Sequence, residues 1–300
     1  MTQRERAAAF QRLHPPAAHD LLVLPNAWDA MSARVIETAG ARAIATTSSG
    51  VSWALGRRDG QGLTRDEMAR AIRRIVDAVK IPVTADIEAG YGAGTPEDVA
   101  ETVRAVLDAG AVGINLEDGP GRGGEPLIPV EEQAERLAAA RSAAEGAGVD
   151  LFINARTDVY LREVGEASDR LEEALRRARV FRDAGADGIF VPGVVDGPTI
   201  ERLVAGVGAP LNVLTGRAGP TVPELRQLGV ARVSVGPSIA LAVMAQIRTV
   251  AGELLGAGSY KGLGGAMPYD EADGLFPNAA PPPAGHISRD PSFQAEPRKT

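Results

Sequence analysis

The stretch 81–118, IPVTADIEAGYGAGTPEDVAETVRAVLDAGAVGINLED, contains a strand–helix–strand unit with its boundaries marked. IPVTAD (81–86) and VGINLED (112–118) are short apolar runs of the kind shown by strands buried on both faces. Between them, Thr95-Pro96-Glu97-Asp98 supplies an N-cap, a first-turn proline and two acids at the positive end of a helix over 96–109. That helix closes at Ala109-Gly110-Ala111, where glycine suits the left-handed residue beyond a helix end. The same AGA phrase recurs at 39–41 and 184–186, so one β–α unit repeats along the chain.

Working outward, the other strand-like runs are LLVLP (21–25), AIATTS (43–48), VDLFINARTD (149–158), DGIFVPG (187–193), APLNVL (209–214) and ARVSVG (231–236). Each of the eight is followed by a helical pattern, over 28–39, 64–79, 96–109, 130–146, 168–184, 197–205, 221–228 and 237–256. Strict alternation of this kind requires parallel strands with right-handed crossovers, and eight repeats predict an α/β fold of the (β/α)8 TIM-barrel type. An open doubly wound sheet is the rival, but no GxGxxG follows the first strand to give it a nucleotide signature. Residues 1–258 are expected to form a single barrel domain with an amphipathic N-terminal helix over 2–14. Residues 259–300 read as a Gly/Pro/Ala-rich extension, mobile from about 277.

Among the 300 residues, 44% are hydrophobic and 24% charged, which fits a folded globular chain. A formal charge of −7 argues against nucleic acid or an anionic membrane as partner. The absence of cysteine excludes disulfides, thiolate metal sites and cysteine nucleophiles. The amino terminus, MTQRERAAAFQRLH, is charged, and no uninterrupted apolar run of about 18 residues occurs, so neither a signal peptide nor a span is expected and a cytoplasmic location is.

In a parallel barrel, function collects at the carboxyl ends of the strands. Those ends are acidic here: Asp86 and Glu88 after strand three, Glu117 and Asp118 after strand four, Asp158 after strand five, and Asp59 in the loop after strand two. Alternation places Asp86 and Glu88 on one side of an extended backbone. Each acid singly is explained as well by a helix cap or surface ion pair, but the glycine-flanked run DIEAGYG (86–92) serves no helix or strand purpose. Converging carboxylates repel one another unless a cation sits among them, and a hard ion such as Mg²⁺, with Mn²⁺ as the alternative, suits them. Gly90 and Gly92 would let the backbone turn tightly beside it. Arg156 offers a planar fork for a substrate carboxylate, or else an ion pair to Asp158 or a neighbouring acid. Thr46, Thr47, Ser48, Ser49 and Gly50 read as an anion-binding turn or as an ordinary polar loop. Asn212 either meets a second substrate oxygen or is a buried amide satisfied by neighbouring strands. The three histidines, His14, His19 and His286, lie in the leading segment and the tail, which disfavours serine–histidine chemistry.

At these residues the sequence resembles the isocitrate lyase/phosphoenolpyruvate mutase superfamily. The resemblance covers about residues 21–256, through PNAWDAMSARVIETAGARAI, LGRRDG, ADIEAGYG, INLEDG, NARTD and LNVL. It implies a (β/α)8 barrel whose eighth helix is exchanged between subunits of a homo-oligomer, a dimer or tetramer. It also implies Mg²⁺ bound directly by Asp86, with waters held by Asp59, Glu88 and Glu117. The substrate would be a small 2-oxo or 2-hydroxy carboxylate passing through an enolate, its carboxylate on Arg156 and its keto-acid end at Thr47, Ser48, Ser49 and Gly50.

The chain also departs from the pattern. Isocitrate and methylisocitrate lyases carry a Lys-Lys/Arg-Cys-Gly-His loop after strand four, and phosphoenolpyruvate mutase uses lysine and asparagine there. Here that segment is Gly119-Pro120-Gly121-Arg122-Gly123-Gly124-Glu125-Pro126. A general acid or base must then come from Glu125, Tyr91, Asp118 or metal-bound water, with Arg122 as a charge clamp. The expected function is Mg²⁺-dependent C–C lyase activity on a small carboxylate. The alternatives are P–C chemistry, as in a phosphonomutase or phosphonopyruvate hydrolase, and a keto-acid-binding barrel without turnover.

Overall fold

The computed structural model describes residues 1–14, 20–119 and 125–276. The expected mobile tail from 277 and Arg122 lie outside the described residues. The first expected strand is split by Pro25, which has no N–H for a ladder, into β1 (Leu22–Leu24) and β2 (Asn26–Ala27). β1 pairs with β9 (Arg232–Ser234) and β2 with β3 (Ile44–Thr46), so the halves of one stave face opposite neighbours. Between β3 and β9 run β4 (Val83–Asp86), β5 (Gly113–Glu117), β6 (Phe152–Arg156), β7 (Gly188–Val191) and β8 (Leu211–Leu214), each beside the next and all parallel. The result is the expected (β/α)8 barrel, nine assigned strands making eight staves. Asn26 seals the split: its Nδ2 donates to the Thr46 carbonyl at 2.9 Å, and its Oδ1 accepts the N–H groups of Val235 and Gly236, each at 2.9 Å.

The outer helices are α2 (Ala30–Thr38), α4 (Arg65–Ala78), α5 (Pro96–Asp108), α6 (Val130–Ala147), α7 (Arg170–Asp183), α8 (Gly197–Gly206), α9 (Val222–Gln227) and α10 (Ser238–Gly256). The local chemistry works as read: Thr95 and Asp98 form a capping box on α5, and Gly40, Gly110 and Gly185 take φ of 96°, 91° and 103° just beyond helix ends. One element departs from expectation. The polar turn expected at 46–50 is the start of a short helix, α3 (Ser48–Ala54), with Thr47 at its N-cap. Ser and Gly are poor helix formers, so it is burial of Ser48 through Ser52 that holds this turn, which local propensity does not report.

α1 (Gln3–Arg12) closes the amino-terminal end of the barrel. Its Ala7 and Phe10 pack with Leu22, Leu24, Ala43, Ala45, Val112 and Phe152, leaving the opposite, carboxyl end to carry chemistry. α10 differs from the other barrel helices in being largely bare. Leu241, Met244 and Ile247 are 48%, 50% and 63% exposed, and Ala240 is its one buried residue. By length and mean hydropathy, 1.4, it is long and apolar enough to cross a membrane, although Arg248 and Glu253 interrupt its apolar run. The chain divides into two compact units, Met1–Ala266 and Met267 onward; the second shows one described helix, α11 (Tyr269–Gly274), with no buried residue.

Candidate active site

Asp86 ends β4 with its backbone N–H on the Thr46 hydroxyl at 2.8 Å. Its carboxylate accepts the N–H of Ser48 at 3.2 Å and of Glu88 at 3.4 Å. Past Asp86 the strand alternation stops, because Glu88 and Tyr91 take left-handed φ of 50° and 59°. The expectation that Asp86 and Glu88 share one side of an extended strand is therefore corrected: a tight turn, not the pleat, sets Glu88. Non-glycine residues held in this region store strain, a pattern that collects at functional sites. The turn also needs Gly90, with φ of 89°, since a Cβ there would fall 2.7 Å from the Val99 side chain. Glu88 is held by the Gln61 N–H and by the Tyr91 hydroxyl, which donates to its Oε1 at 3.2 Å.

These turns open on a cavity of about 260 Å³ whose walls include Thr47, Ser48, Ser49, Asp59, Asp86 and Arg156. Arg156, the last residue of β6, gives Nη1 to Glu117 at 2.7 Å, and Nε and Nη2 to Asp158 at 2.6 and 3.2 Å. Arg156 is thus ion-paired on both sides, and it also lines the cavity, with two N–H groups beyond those three bonds. Behind it, the fully buried Asp158 is shared with Arg162, and the fully buried Asp118 pairs with Arg177 at 3.0 Å.

The carboxylates raise one another's proton affinity. Glu88 is pushed up to about 7, chiefly by burial and then by the charges of Asp86 and Asp59, against the pull of Gln61 and Tyr91. Asp59 is exposed as a residue, but its carboxyl faces the cavity, where partial burial and then Asp86 raise it. Burial holds Glu117 well above the ordinary range despite its pairing with Arg156, and Asp158, Asp86 and Glu88 add to the effect. A pH dependence follows. Between about pH 4.5 and 7 the folded protein keeps a proton on Glu88 that the unfolded chain has released. Raising the pH through that window should therefore cost stability, about 3 kcal/mol when complete. Thermal melts in chelator from pH 5 to 8 should show this fall, and Glu88→Gln should flatten it; an equal slope in the variant would refute the assignment.

The donor set suits a hard cation. Among the described residues, no three acids or histidines converge closely enough to hold an ion unaided. Mg²⁺ does not require that, since it takes one or two carboxylates and keeps waters. Asp59 and Asp86, which repel one another on the cavity wall, and the buried, raised Glu88 and Glu117 supply oxygen donors of the kind it takes.

Other expected site residues fall elsewhere. Gly50 is a packing position: a Cβ there would lie 2.8 Å from both Thr47 and Trp28. Asn212 is a buried amide whose Nδ2 donates to the Val213 carbonyl at 3.2 Å and the Ser234 hydroxyl at 3.3 Å, while its buried Oδ1 has no hydrogen-bond partner, so it is only half satisfied by its neighbours. Tyr91 is buried beneath Glu88, and Glu125 is exposed. Sequence reasoning passed over Asn26 and Asn115 as lining residues, and Leu161, Phe190, Pro192, Leu214 and Pro237 as an apolar wall. Asp158 stood in the NARTD motif, and its spacing of two from Arg156 was the signal for its role.

The family model for phosphoenolpyruvate phosphomutase matches residues 10–255. The chain belongs to the isocitrate lyase/PEP mutase superfamily. A solved structure from Burkholderia cenocepacia J2315, provisionally classed as a phosphonomutase, is 45% identical, with a TM-score of 0.78 over 86% of this chain and 100% of that one. The 2-methylisocitrate lyase of Salmonella typhimurium is 32% identical over 72% of this chain and 74% of its own. A superfamily phosphonopyruvate hydrolase, solved with oxalate and Mg²⁺, is 26% identical, with a TM-score of 0.78 over 92% of this chain and 95% of that one.

Proposed function

We propose that this chain is a Mg²⁺-dependent lyase that cleaves a C–C bond of a small 2-hydroxy or 2-oxo carboxylate through an enolate. The observation that carries the reading is that Asp59 and Asp86 share one cavity with Arg156. Asp86 would hold the ion, with Asp59, Glu88 and Glu117 on its waters; bound there, it supplies a Lewis acid for the 2-oxygen. Arg156, braced by Glu117 and Asp158, orients the substrate carboxylate, and Thr47, Ser48 and Ser49 add hydroxyls at the same end. In the retro-aldol sense the substrate hydroxyl gives up a proton as the C–C bond breaks, and the electron pair passes to the enolate, which is then protonated on carbon. The Tyr91 hydroxyl is engaged by Glu88, and Asp118 is enclosed beside Arg177. Proton transfer is therefore assigned to Glu125 or water, with Arg122 as the clamp.

The lyase among the relatives supports C–C cleavage. The phosphonomutase-class structure and the hydrolase support a second reading, P–C chemistry. A homo-oligomer, dimer or tetramer, in which α10 packs on a second copy, is supported by that helix's bare apolar residues. The test is Mg²⁺-dependent release of pyruvate, glyoxylate or oxalate from 2-hydroxy, 2-oxo and phosphono acids. A change in the phosphorus NMR spectrum would favour the second reading. Oxalate binding without any turnover would reduce the protein to a keto-acid-binding barrel.

A further inference from the structure

Beside Asp86 the barrel interior carries buried polar side chains, where this fold usually layers branched apolar ones. Asn115 on β5 stands in register with Asp86 on β4 and with Asn154 on β6, and Arg232 reaches it from β9. The Oδ1 of Asn115 accepts two bonds, from Asn154 Nδ2 at 2.9 Å and from Arg232 Nη2 at 3.2 Å. A guanidinium has donors and no acceptor, so the atom it meets must be the amide oxygen. Arg232 thereby settles which way the Asn115 amide points, an assignment that is otherwise open for an asparagine.

This arrangement costs stability. Asn154 Oδ1 and Arg232 Nε and Nη1 are buried without a hydrogen-bond partner. In return one carbonyl is held by two donors, and its Nδ2 is left over. That Nδ2 has no partner among the described residues and is not sealed away, and the residue, 7% exposed, lines the same cavity as Asp86 and Arg156. Neither Asn154 nor Arg232 lines it. An ionised Asp86 offers only acceptors. An electron-rich ligand oxygen beside that carboxylate needs a donor, and the amide supplies one.

On the reading above, in which the cavity takes a 2-oxo or 2-hydroxy acid with Mg²⁺, we infer that Asn115 is a further substrate-contacting residue, its Nδ2 donating to an oxygen of the acid on the side of Asp86. Such a bond strengthens as that oxygen gathers negative charge, so it favours the enolate over the starting acid.

Oxalate, an unreactive mimic of the enolate, is the probe. Its binding to the full chain with Mg²⁺ is measured by titration calorimetry, beside Mg²⁺ alone. Asn115→Leu keeps the bulk of the side chain and removes the amide. Oxalate affinity should then fall roughly ten- to a hundredfold, while Mg²⁺ affinity stays at the parent's value. Because that variant leaves Arg232 without its acceptor, a crystal structure of the unmodified protein with Mg²⁺ and oxalate gives an independent reading. In it Nδ2 should lie within about 3.2 Å of an oxalate oxygen. Full-strength oxalate binding by Asn115→Leu, an equal loss of Mg²⁺ affinity, or an Nδ2 out of hydrogen-bond reach of every oxalate oxygen would overturn the inference. Failure of oxalate to bind the unmodified protein with Mg²⁺ would instead overturn the reading of the cavity, and the inference with it.

Discussion

Replacing Asp86 by asparagine is expected to lower Mg²⁺-dependent turnover by about a thousandfold or more, with the barrel intact. The side chain is 8% exposed and lines the cavity. Asparagine keeps its shape and an oxygen for the Ser48 N–H at 3.2 Å. What it loses is the charge that suits the residue to an ion and that raises the proton affinity of Asp59 and Glu88. Without metal the variant should thus melt no lower than the parent at pH 8, where repulsion among the acids is greatest, while the gain in melting temperature on adding Mg²⁺ should vanish. Calorimetric titration with Mg²⁺ decides the matter, and affinity equal to the parent's would remove Asp86 as the ligand.

Arg156 carries the second large effect, and two substitutions separate its roles. Arg156→Lys keeps a cation but gives up the planar fork that spans Glu117 and Asp158, and kcat/KM should fall on the order of a hundredfold. Arg156→Met removes the charge as well. Glu117 is then left without its guanidinium and Asp158 with Arg162 alone, both in a buried setting, and stability at pH 7 should drop by about 3–5 kcal/mol. Urea unfolding would measure this drop. If the lysine variant turned over like the parent, the arginine would be a brace for neighbouring acids and not a clamp for substrate.

Much of the barrel was legible because its signals are local and repeated. The strand runs, the Thr95 cap and the three AGA helix ends each follow from a few residues of sequence, and each recurs at the right interval. Asp86 was legible for a related reason, since a strand end in a parallel barrel is a known location. Glu88 was named from the same run, but its placement was not legible, because the left-handed backbone at 88 depends on how the turn packs against α5, which no period-two pattern encodes. α3 was hidden similarly: its serines and glycine argue against a helix, and only burial favours one. The apolar wall was missed because Leu161, Phe190, Leu214 and Pro237 come from four separate stretches, each ordinary by itself.

The break at Pro25 leaves the barrel with a seam. There the backbone ladder passes from one neighbour to the other, and Asn26 bridges the gap with its side chain. Asn26, Ser234 and Gly236 also line the cavity, so the seam runs into the site. The clasp that keeps the ring shut is part of the cavity's wall, so by linkage a ligand seated against Asn26 would stabilise the closed barrel as well as fill the site.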